Sequence, residues 1–292
     1  MNHWTRWTTT LLLLTAACSQ PPRTWVCNYA ADADPALLAP YGLVVVDAAW
    51  PGQVGALKAQ KALALAYISL GELHAQRPQF AAAKAAGLLV VENPNWPGAW
   101  LVDVRDPRWH RLIVEEMAPP LIARGFDGFF LDTVDSALHL EATQPERFGG
   151  MRAGAIQLIQ ALHARFPRAR LLLNGALPLV GSLRAEVGMV AVESSLTDWD
   201  FSAKQGRWRT ASERAWVKER LTAAQAANPE LAVYTLDYWD PQDRDGLTRI
   251  YREQRAAGFV PYVATIGLDR VVPEPKAVAA PAPAPGLFAP PR

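Results

Sequence analysis

Eight short apolar runs, separated by segments with helical periodicity, most constrain how this chain can fold. The runs cover 25–29, 43–47, 64–70, 129–132, 171–174, 190–193, 233–237 and 260–266. Short, continuously apolar segments are typical of strands that are buried on both faces of a parallel sheet. Eight such strands alternating with helices predict an α/β fold, a single-domain (β/α)8 TIM barrel. The chain has 292 residues, which is enough for one barrel of this kind.

A doubly wound open sheet is the main alternative for a chain with this alternation. When such a sheet binds a dinucleotide, a glycine-rich phosphate loop directly follows its first strand. No such loop follows the run at 25–29. The sequence therefore favours the barrel.

Helical signals fill the intervals between the predicted strands. Asp106 followed by Pro107 is typical of an N-cap and the first helical position. The pair at 119–120, Pro-Pro, is expected to break or kink that helix. Apolar spacing predicts further helices over 155–166, from Ser212 onward, and over about 247–257.

The two ends of the chain differ from the part between them. Residues 1–18 hold a short leucine-rich run and end in small residues before Cys18. This pattern predicts a signal peptide with a lipobox and lipid on Cys18, and ordinary cleavage with secretion is the alternative. Residues 273–292 are rich in Pro and Ala and are expected to form a disordered tail. The barrel is assigned to 24–272, after a short linker at 19–23.

Composition limits the partners and cofactors. The formal net charge is +1, so no bulk field attracts nucleic acid or an anionic membrane, and we expect membrane contact only through the lipid. If Cys18 is lipidated, Cys27 has no disulfide partner and is expected to be a buried core residue. Only His74 among the histidines lies near a strand end, and this argues against a histidine-rich metal site. We expect a monomer with neither metal nor cofactor.

Nearly every apolar run ends in a polar or acidic residue. These residues are Asn28, Asp47, Glu72, Asp132, Asn174, Glu193 and Asp237. Because the carboxyl ends of barrel strands form the active-site mouth, we expect folding to bring these side chains to one rim. A carboxylate at a strand end can instead cap the next helix, and for Asp47 and Asp237 taken singly this alternative stays open.

Tryptophans also follow the strands, at positions 50, 96, 100, 199 and 239. Aromatic faces stack on the C–H faces of sugar rings, so a mouth lined by tryptophan suits a carbohydrate; packing between loops is the alternative for each ring. The rim has an excess of acid. A neutral or cationic sugar would therefore be accommodated, whereas an anionic one would be repelled.

Two carboxylates can cleave a glycosidic bond, since one protonates the leaving oxygen and the other acts as nucleophile or as general base for water. Asp132 and Glu193 end the fourth and sixth predicted strands and are the catalytic candidates. A serine triad is not favoured. Ser194 and Ser195 lack the nucleophile-elbow pattern and an evident histidine partner.

The segment GFDGFFLDTVDS at 125–136 resembles the aspartate-bearing fourth-strand segment of glycoside hydrolase family 114, the endo-α-1,4-polygalactosaminidases. Residues 66–72, 93–107 and 192–194 are similar to that family's third strand, its next loop and its glutamate-bearing strand. The resemblance implies a TIM-barrel hydrolase of α-1,4-linked galactosamine polymers, which are cationic. It also implies that Asp132 and Glu193 are the catalytic pair.

The leading hypothesis is a retaining endo-glycosidase. We expect Glu193, which follows an apolar run, to be the less solvated carboxyl and the acid/base, and Asp132 to be the nucleophile. The residues expected to bind substrate are Asp47, Tyr67, Glu72, Trp96, Asp135, Asn174, Trp199, Asp237 and Tyr238. Two alternatives remain: a non-catalytic carbohydrate-binding envelope lipoprotein on the same barrel, and a polysaccharide-processing partner in a biofilm system.

Overall fold

The computed structural model of the protein describes residues 21–275. The predicted signal peptide with Cys18, and residues 276–292 of the predicted tail, lie outside the described residues. In the part of the chain that is described, none of the helices has the length and apolar character needed to cross a membrane.

Eight parallel strands form one sheet, and their order in the sheet is their order in the chain. The first and eighth strands also contact each other, which nearly closes the sheet into a barrel. The strands are Trp25–Asn28, Leu43–Val46, Leu63–Ser69, Gly128–Asp132, Arg170–Asn174, Met189–Glu193, Ala232–Tyr238 and Val260–Ala264. All eight predicted strands are confirmed, and the sequential order excludes the doubly wound alternative, in which the strand order reverses.

The strands carry the core of the molecule. Trp25 in the first strand packs edge-on against Tyr234 and Tyr262 of the seventh and eighth strands, with ring centroids 5.6 and 6.1 Å apart. Cys27 is a buried core residue, as expected. Large aromatic rings near the starts of the strands thus fill the barrel interior, and the opposite ends of the strands are left to form the mouth.

Helices pack outside the strands. The α-helices are Pro35–Leu38, Val54–Leu57, Phe80–Ala85, Pro107–Arg111, Ala118–Ala123, Val134–Thr143, Pro145–Phe148, Met151–Arg165, Ala211–Ala227 and Arg244–Ala256, and a 3-10 helix covers Leu177–Leu183. Asp106 caps its helix by accepting a 2.8 Å hydrogen bond from the Arg108 amide, as predicted. The helix predicted from Ser212 begins at a capping box formed by Thr210 and Glu213.

The proline pair at 119–120 does not break the helix that begins at Pro107. A π-helical segment, Leu112–Met117, joins the α-helix Pro107–Arg111 to the α-helix Ala118–Ala123. A proline in an ordinary α-helix lacks an N–H and clashes with the carbonyl four residues earlier. Wider π-helical turns lie directly before the prolines, and the chain stays helical through both of them. The expected break is therefore wrong, whereas the kink, the other expected outcome, stays a prediction.

Two antiparallel insertions extend the mouth, and neither is predicted from the sequence. A three-stranded sheet follows the third barrel strand, with strands Glu72–His74, Leu89–Glu92 and Ala99–Val102. A hairpin of Thr197–Asp200 and Gln205–Trp208 follows the sixth. Glu72 therefore begins an inserted strand, whereas the third barrel strand itself ends at Ser69.

Gly128 lets the fourth and fifth barrel strands approach closely. A Cβ atom at this position would lie 1.9 Å from the backbone oxygen of Arg170. No side chain fits that space, so glycine is required there. Gly128 is the first residue of the fourth barrel strand, which ends four residues later at Asp132.

Candidate active site

A cavity of about 880 Å³ opens at the carboxyl ends of the barrel strands. Both catalytic candidates, Asp132 and Glu193, line it. Five of the predicted substrate-binding residues also line it: Tyr67, Glu72, Trp96, Trp199 and Tyr238.

Asn174 joins the two catalytic candidates. Its Nδ2 donates to Asp132 Oδ1 at 2.8 Å and to Glu193 Oε1 at 2.6 Å. The three residues end the fourth, fifth and sixth barrel strands, which are adjacent in the sheet. Because the two carboxylate oxygens share one nitrogen, they cannot be farther apart than the sum of these two distances.

The chain turns sharply after each of these three residues. Thr133, Gly175 and Ser194, which follow them, have φ angles of 62°, 62° and 55°. For a residue other than glycine, this left-handed conformation is strained by about 1–3 kcal/mol and persists where the surroundings hold it. Each turn ends its strand abruptly and leaves the side chain before it at the mouth.

Hydrogen bonds hold the turn at Thr133. Its Oγ1 accepts from the Gly71 amide at 2.9 Å and shares a 2.7 Å hydrogen bond with Ser69 Oγ. The segment that follows the third barrel strand therefore holds the turn that follows Asp132.

The environment of Glu193 favours its protonated form. The side chain is exposed to the cavity, and protein atoms replace water on its other sides. This desolvation raises the pKa of Glu193, and the negative charge of Asp132 raises it further. Hydrogen bonds from Tyr238 Oη, at 2.5 Å, and from Asn174 act in the opposite direction without cancelling the rise. Glu193 can therefore hold a proton to higher pH than an ordinary glutamate.

Neutral donors surround Asp132. Besides Asn174, the Tyr67 hydroxyl interacts with this carboxylate. Burial, and then the charge of Asp132, raise the pKa of Tyr67 well above its ordinary value. The phenol consequently stays protonated and can donate to an ionised Asp132.

Glu72 lines the cavity from the inserted sheet. It is buried and accepts hydrogen bonds from Ser136 Oγ at 2.5 Å and from Asn93 Nδ2 at 3.0 Å. Ser136 lies on the helix Val134–Thr143, which follows the fourth barrel strand. Glu72 thus ties the insertion to that helix while facing the substrate space.

Asp47 lies behind the cavity wall and binds Arg77, which lines the cavity. Its oxygens accept from the two terminal nitrogens of Arg77 at 2.9 and 2.5 Å, and the Ala49 amide donates at 2.7 Å. Burial alone would raise the pKa of Asp47, but these hydrogen bonds and the guanidinium charge lower it. The structure supports a positioning role for Asp47. Arg77, which no strand-end pattern marks, was missed in the sequence.

Asp237 does not contact the cavity. It is 0% exposed and accepts from the amides of Leu196 and Thr197 at 2.8 and 2.9 Å and from Gln254 Nε2 at 2.5 Å. Burial raises its pKa despite these bonds. A direct substrate contact for Asp237 is thus not supported. It holds the start of the hairpin that follows Glu193, and it does not cap a helix.

Asp135 also acts on a turn of the chain. Its Oδ2 accepts from the Ala176 amide at 3.0 Å, directly after the left-handed Gly175. Asp135 is not among the residues that line the cavity. Asp135 thus supports the segment that follows the fifth barrel strand, as Asp237 supports the segment that follows the sixth.

The tryptophans divide into two groups. Trp96 and Trp199 line the cavity. Trp50 is only 2% exposed, and its Nε1 donates to the Ala33 carbonyl, so it belongs to the core and its interpretation as a mouth residue is wrong. Trp100 packs against Phe80 and Trp239 against Trp208, and neither tryptophan is among the residues that line the cavity.

Acidic side chains outnumber basic ones around the cavity. The acids are Glu72, Glu116, Asp132, Glu193 and Asp198, and the bases are Arg77 and His74. The charge of Arg77 is already paired with Asp47, and that of Asp198 with Arg207, so the excess of acid comes from Glu72, Glu116, Asp132 and Glu193. The cavity therefore presents a negative potential, which favours a cationic ligand. Within residues 21–275, no group of three or more His, Cys, Asp or Glu is arranged to hold a metal ion.

Comparison with known proteins gives a family and several similar structures. The model of glycoside-hydrolase family GH114 matches residues 9–279. The glycoside hydrolase domain of PelA from Pseudomonas aeruginosa is similar, with a TM-score of 0.78 and 30% identity, over 87% of this chain and 99% of that domain. Aspergillus fumigatus Ega3, solved in complex with galactosamine, shares the fold, with a TM-score of 0.64 and 17% identity over 89% and 98%. An uncharacterized Deinococcus radiodurans protein is 27% identical over 245 residues, 80% of this chain and 76% of that protein.

The left-handed turn after Glu193 makes stability sensitive to the residue at position 194. Ser194→Gly should raise the free energy of unfolding by about 1 kcal/mol relative to Ser194→Ala, because only glycine adopts this φ without strain. The amide of Ser194 donates to Leu236 O at 2.8 Å, and this backbone bond should be kept in both variants. Denaturant unfolding of the two variants measures the difference. A Ser194→Gly variant that is no more stable than Ser194→Ala would show that the turn is not strained.

Proposed function

The chain belongs to glycoside hydrolase family GH114, and from this premise we propose that it hydrolyses a galactosamine-containing polysaccharide, as an endo-α-1,4-polygalactosaminidase does. That it is a glycoside hydrolase follows from the family and from its similarity to the PelA glycoside hydrolase domain. The proposed substrate rests on one observation: Asp132 and Glu193, which Asn174 bridges, lie in an acidic cavity lined by aromatic rings.

The charge of the cavity supports an amino sugar as the substrate. A galactosamine unit without its acetyl group carries an ammonium at neutral pH. The excess of carboxylates in the cavity would attract that charge and repel an anionic polymer. The complex of Ega3 with galactosamine is consistent with this class of ligand for the fold.

A double-displacement mechanism accounts for the two carboxylates. Asp132 attacks the anomeric carbon while Glu193 gives its proton to the leaving oxygen, which produces a glycosyl ester on Asp132 and a shortened chain. Glu193 then removes a proton from water. The resulting attack on the anomeric carbon breaks the ester, frees the Asp132 carboxylate and leaves Glu193 protonated again.

The separation of the two groups supports this retaining mechanism. Retaining enzymes hold their carboxyls about 5–5.5 Å apart, and inverting enzymes about 6.5–9.5 Å apart. Asp132 Oδ1 and Glu193 Oε1 lie 2.8 and 2.6 Å from the same Asn174 nitrogen. These two oxygens therefore lie closer together than the inverting range, which leaves room for an intervening water.

The charge of Asp132 also supports the change of role that Glu193 must make. While Asp132 is ionised, its charge raises the pKa of Glu193 and helps it keep the proton. Formation of the ester removes that charge. The pKa of Glu193 then falls, and the deprotonated carboxylate can act as the base.

Paired variants test the two roles. Glu193→Gln should lose activity on the polymer by at least about 100-fold, because general acid catalysis contributes roughly 10²–10⁴. It should lose far less on an aryl galactosaminide whose leaving group needs no protonation. Asp132→Asn should be inactive on both substrates, since no nucleophile remains. Release of oligosaccharides and of the aryl group measures the two reactions.

Glu219→Gln, on an exposed face of the helix Ala211–Ala227, is the matched control and should retain full activity. If Glu193→Gln is inactive on the aryl substrate while Asp132→Asn recovers there, the two roles are reversed. Full activity of both variants on the polymer would refute a hydrolase built on this pair.

We further propose that the protein is exported and anchored through lipid on Cys18. The apolar run and the small residues before this cysteine support the proposal. Cys18→Ala should release the protein from membranes and leave it folded, because the first barrel strand begins only at Trp25. Membrane fractionation and circular dichroism measure the two outcomes. Cys27→Ala should stay with the membrane as the matched control, and unchanged membrane association of Cys18→Ala would refute the anchor.

A further inference from the structure

Two exposed aromatic side chains meet at the rim of the cavity. Trp96 is 54% and Phe201 is 65% exposed, yet their ring centroids are 6.1 Å apart with an interplanar angle of 84°. Both line the cavity that holds Asp132 and Glu193. Single exposed apolar side chains are common, but an exposed pair beside a cleft is typical of a binding surface.

The contact between these rings crosses the barrel mouth. Trp96 lies between the inserted strands Leu89–Glu92 and Ala99–Val102, which follow the third barrel strand. Phe201 lies at the turn of the hairpin that follows the sixth barrel strand. In a ring of eight strands, the third and sixth are three positions apart. The two insertions therefore reach toward each other from opposite parts of the mouth.

Polar contacts hold the hairpin below Phe201. Asp198 and Glu213 both accept from Arg207, each at 2.9 Å. Asp200 Oδ1 accepts from the amides of Ser202 and Ala203 at 2.8 and 2.9 Å, which shapes the turn around the ring.

The turn that carries Trp96 is held in a similar way. Asn93 Oδ1 accepts from the Asn95 amide at 2.9 Å, and Glu92 Oε1 accepts from the Gly98 amide at 2.7 Å. Both rings are thus presented by supported turns and still remain open to solvent.

We propose that Trp96 and Phe201 form an aromatic clamp, a corner of two perpendicular rings that touch each other, and that one sugar unit of the polymer packs on their open faces, away from the cleaved bond. The proposal rests on the proposed function and adds Phe201 as a substrate-binding residue. The C–H face of a sugar ring packs on an aromatic face, and a nearby ammonium interacts favourably with the π system. Binding energy from such a remote unit favours a long chain over a short substrate that reaches only the carboxylates.

Alanine variants of the clamp test it. In Phe201→Ala and Trp96→Ala, we expect the KM for the galactosamine polymer to rise roughly tenfold and kcat to change less than about twofold. In the double variant, the KM should rise by less than the product of the two single increases, because both rings contact the same sugar unit. Thermal unfolding should be unchanged, since both side chains are exposed. Trp216→Ala is the matched control, because that ring is 53% exposed and packs on Arg220 outside the cavity.

The affinity for the polymer can also be measured without turnover. For this, the inactive Asp132→Asn variant is compared with the double variant that also carries Phe201→Ala. If the protein neither cleaves nor binds the polymer, the proposed function is wrong and the clamp is overturned with it. If it cleaves the polymer and the clamp variants match the parent within about twofold in KM and binding, the clamp alone is overturned. A lower unfolding temperature, or an equal loss on an aryl galactosaminide, would indicate a structural role and would also overturn it.

Discussion

The hydrogen bonds from Asn174 to Asp132 and Glu193 are the interaction on which the rest of the site depends. Two carboxylates this close repel each other when both are ionised, and one amide nitrogen that donates to both opposes that repulsion. Asn174 Oδ1 is buried without a partner among the described residues. The reverse orientation of the amide would place this oxygen against two carboxylates, so the pair itself determines how the amide points.

The other acidic residues of the rim divide between two tasks. Glu72, like Asp132 and Glu193, faces the cavity and adds to its negative potential. Asp47, Asp135 and Asp237 instead hold Arg77, the turn after Asn174 and the hairpin after Glu193. Asp135 and the buried Asp237 accept backbone N–H groups and fix where the segments after Asn174 and Glu193 begin. The acidic rim is therefore as much a support for the loops as a surface for the substrate.

The barrel and the residues at its mouth could be predicted because both depend on local sequence. Each barrel strand is a continuous apolar run, and Asp132, Asn174 and Glu193 stand where a run ends. The hairpin Thr197–Trp208 is short, polar and half-buried, so its pattern resembles a loop. Trp50 and Trp96 both follow strands, and only long-range packing, such as the Ala33 carbonyl that accepts from Trp50, separates a core ring from an exposed one. Arg77 was missed for the same reason, since its role depends on a distant Asp47.

The pKa of Glu193, followed by carbon NMR in the parent protein and in Asp132→Asn, shows whether Asp132 and Glu193 interact electrostatically. If the two carboxyls form one electrostatic unit, the pKa of Glu193 lies above its ordinary value of 4.5 in the parent. It then falls in Asp132→Asn, because the neighbouring negative charge is gone and the proton is held less tightly. A pKa at or below the ordinary value in the parent, or one that Asp132→Asn leaves unchanged, would contradict the coupled pair.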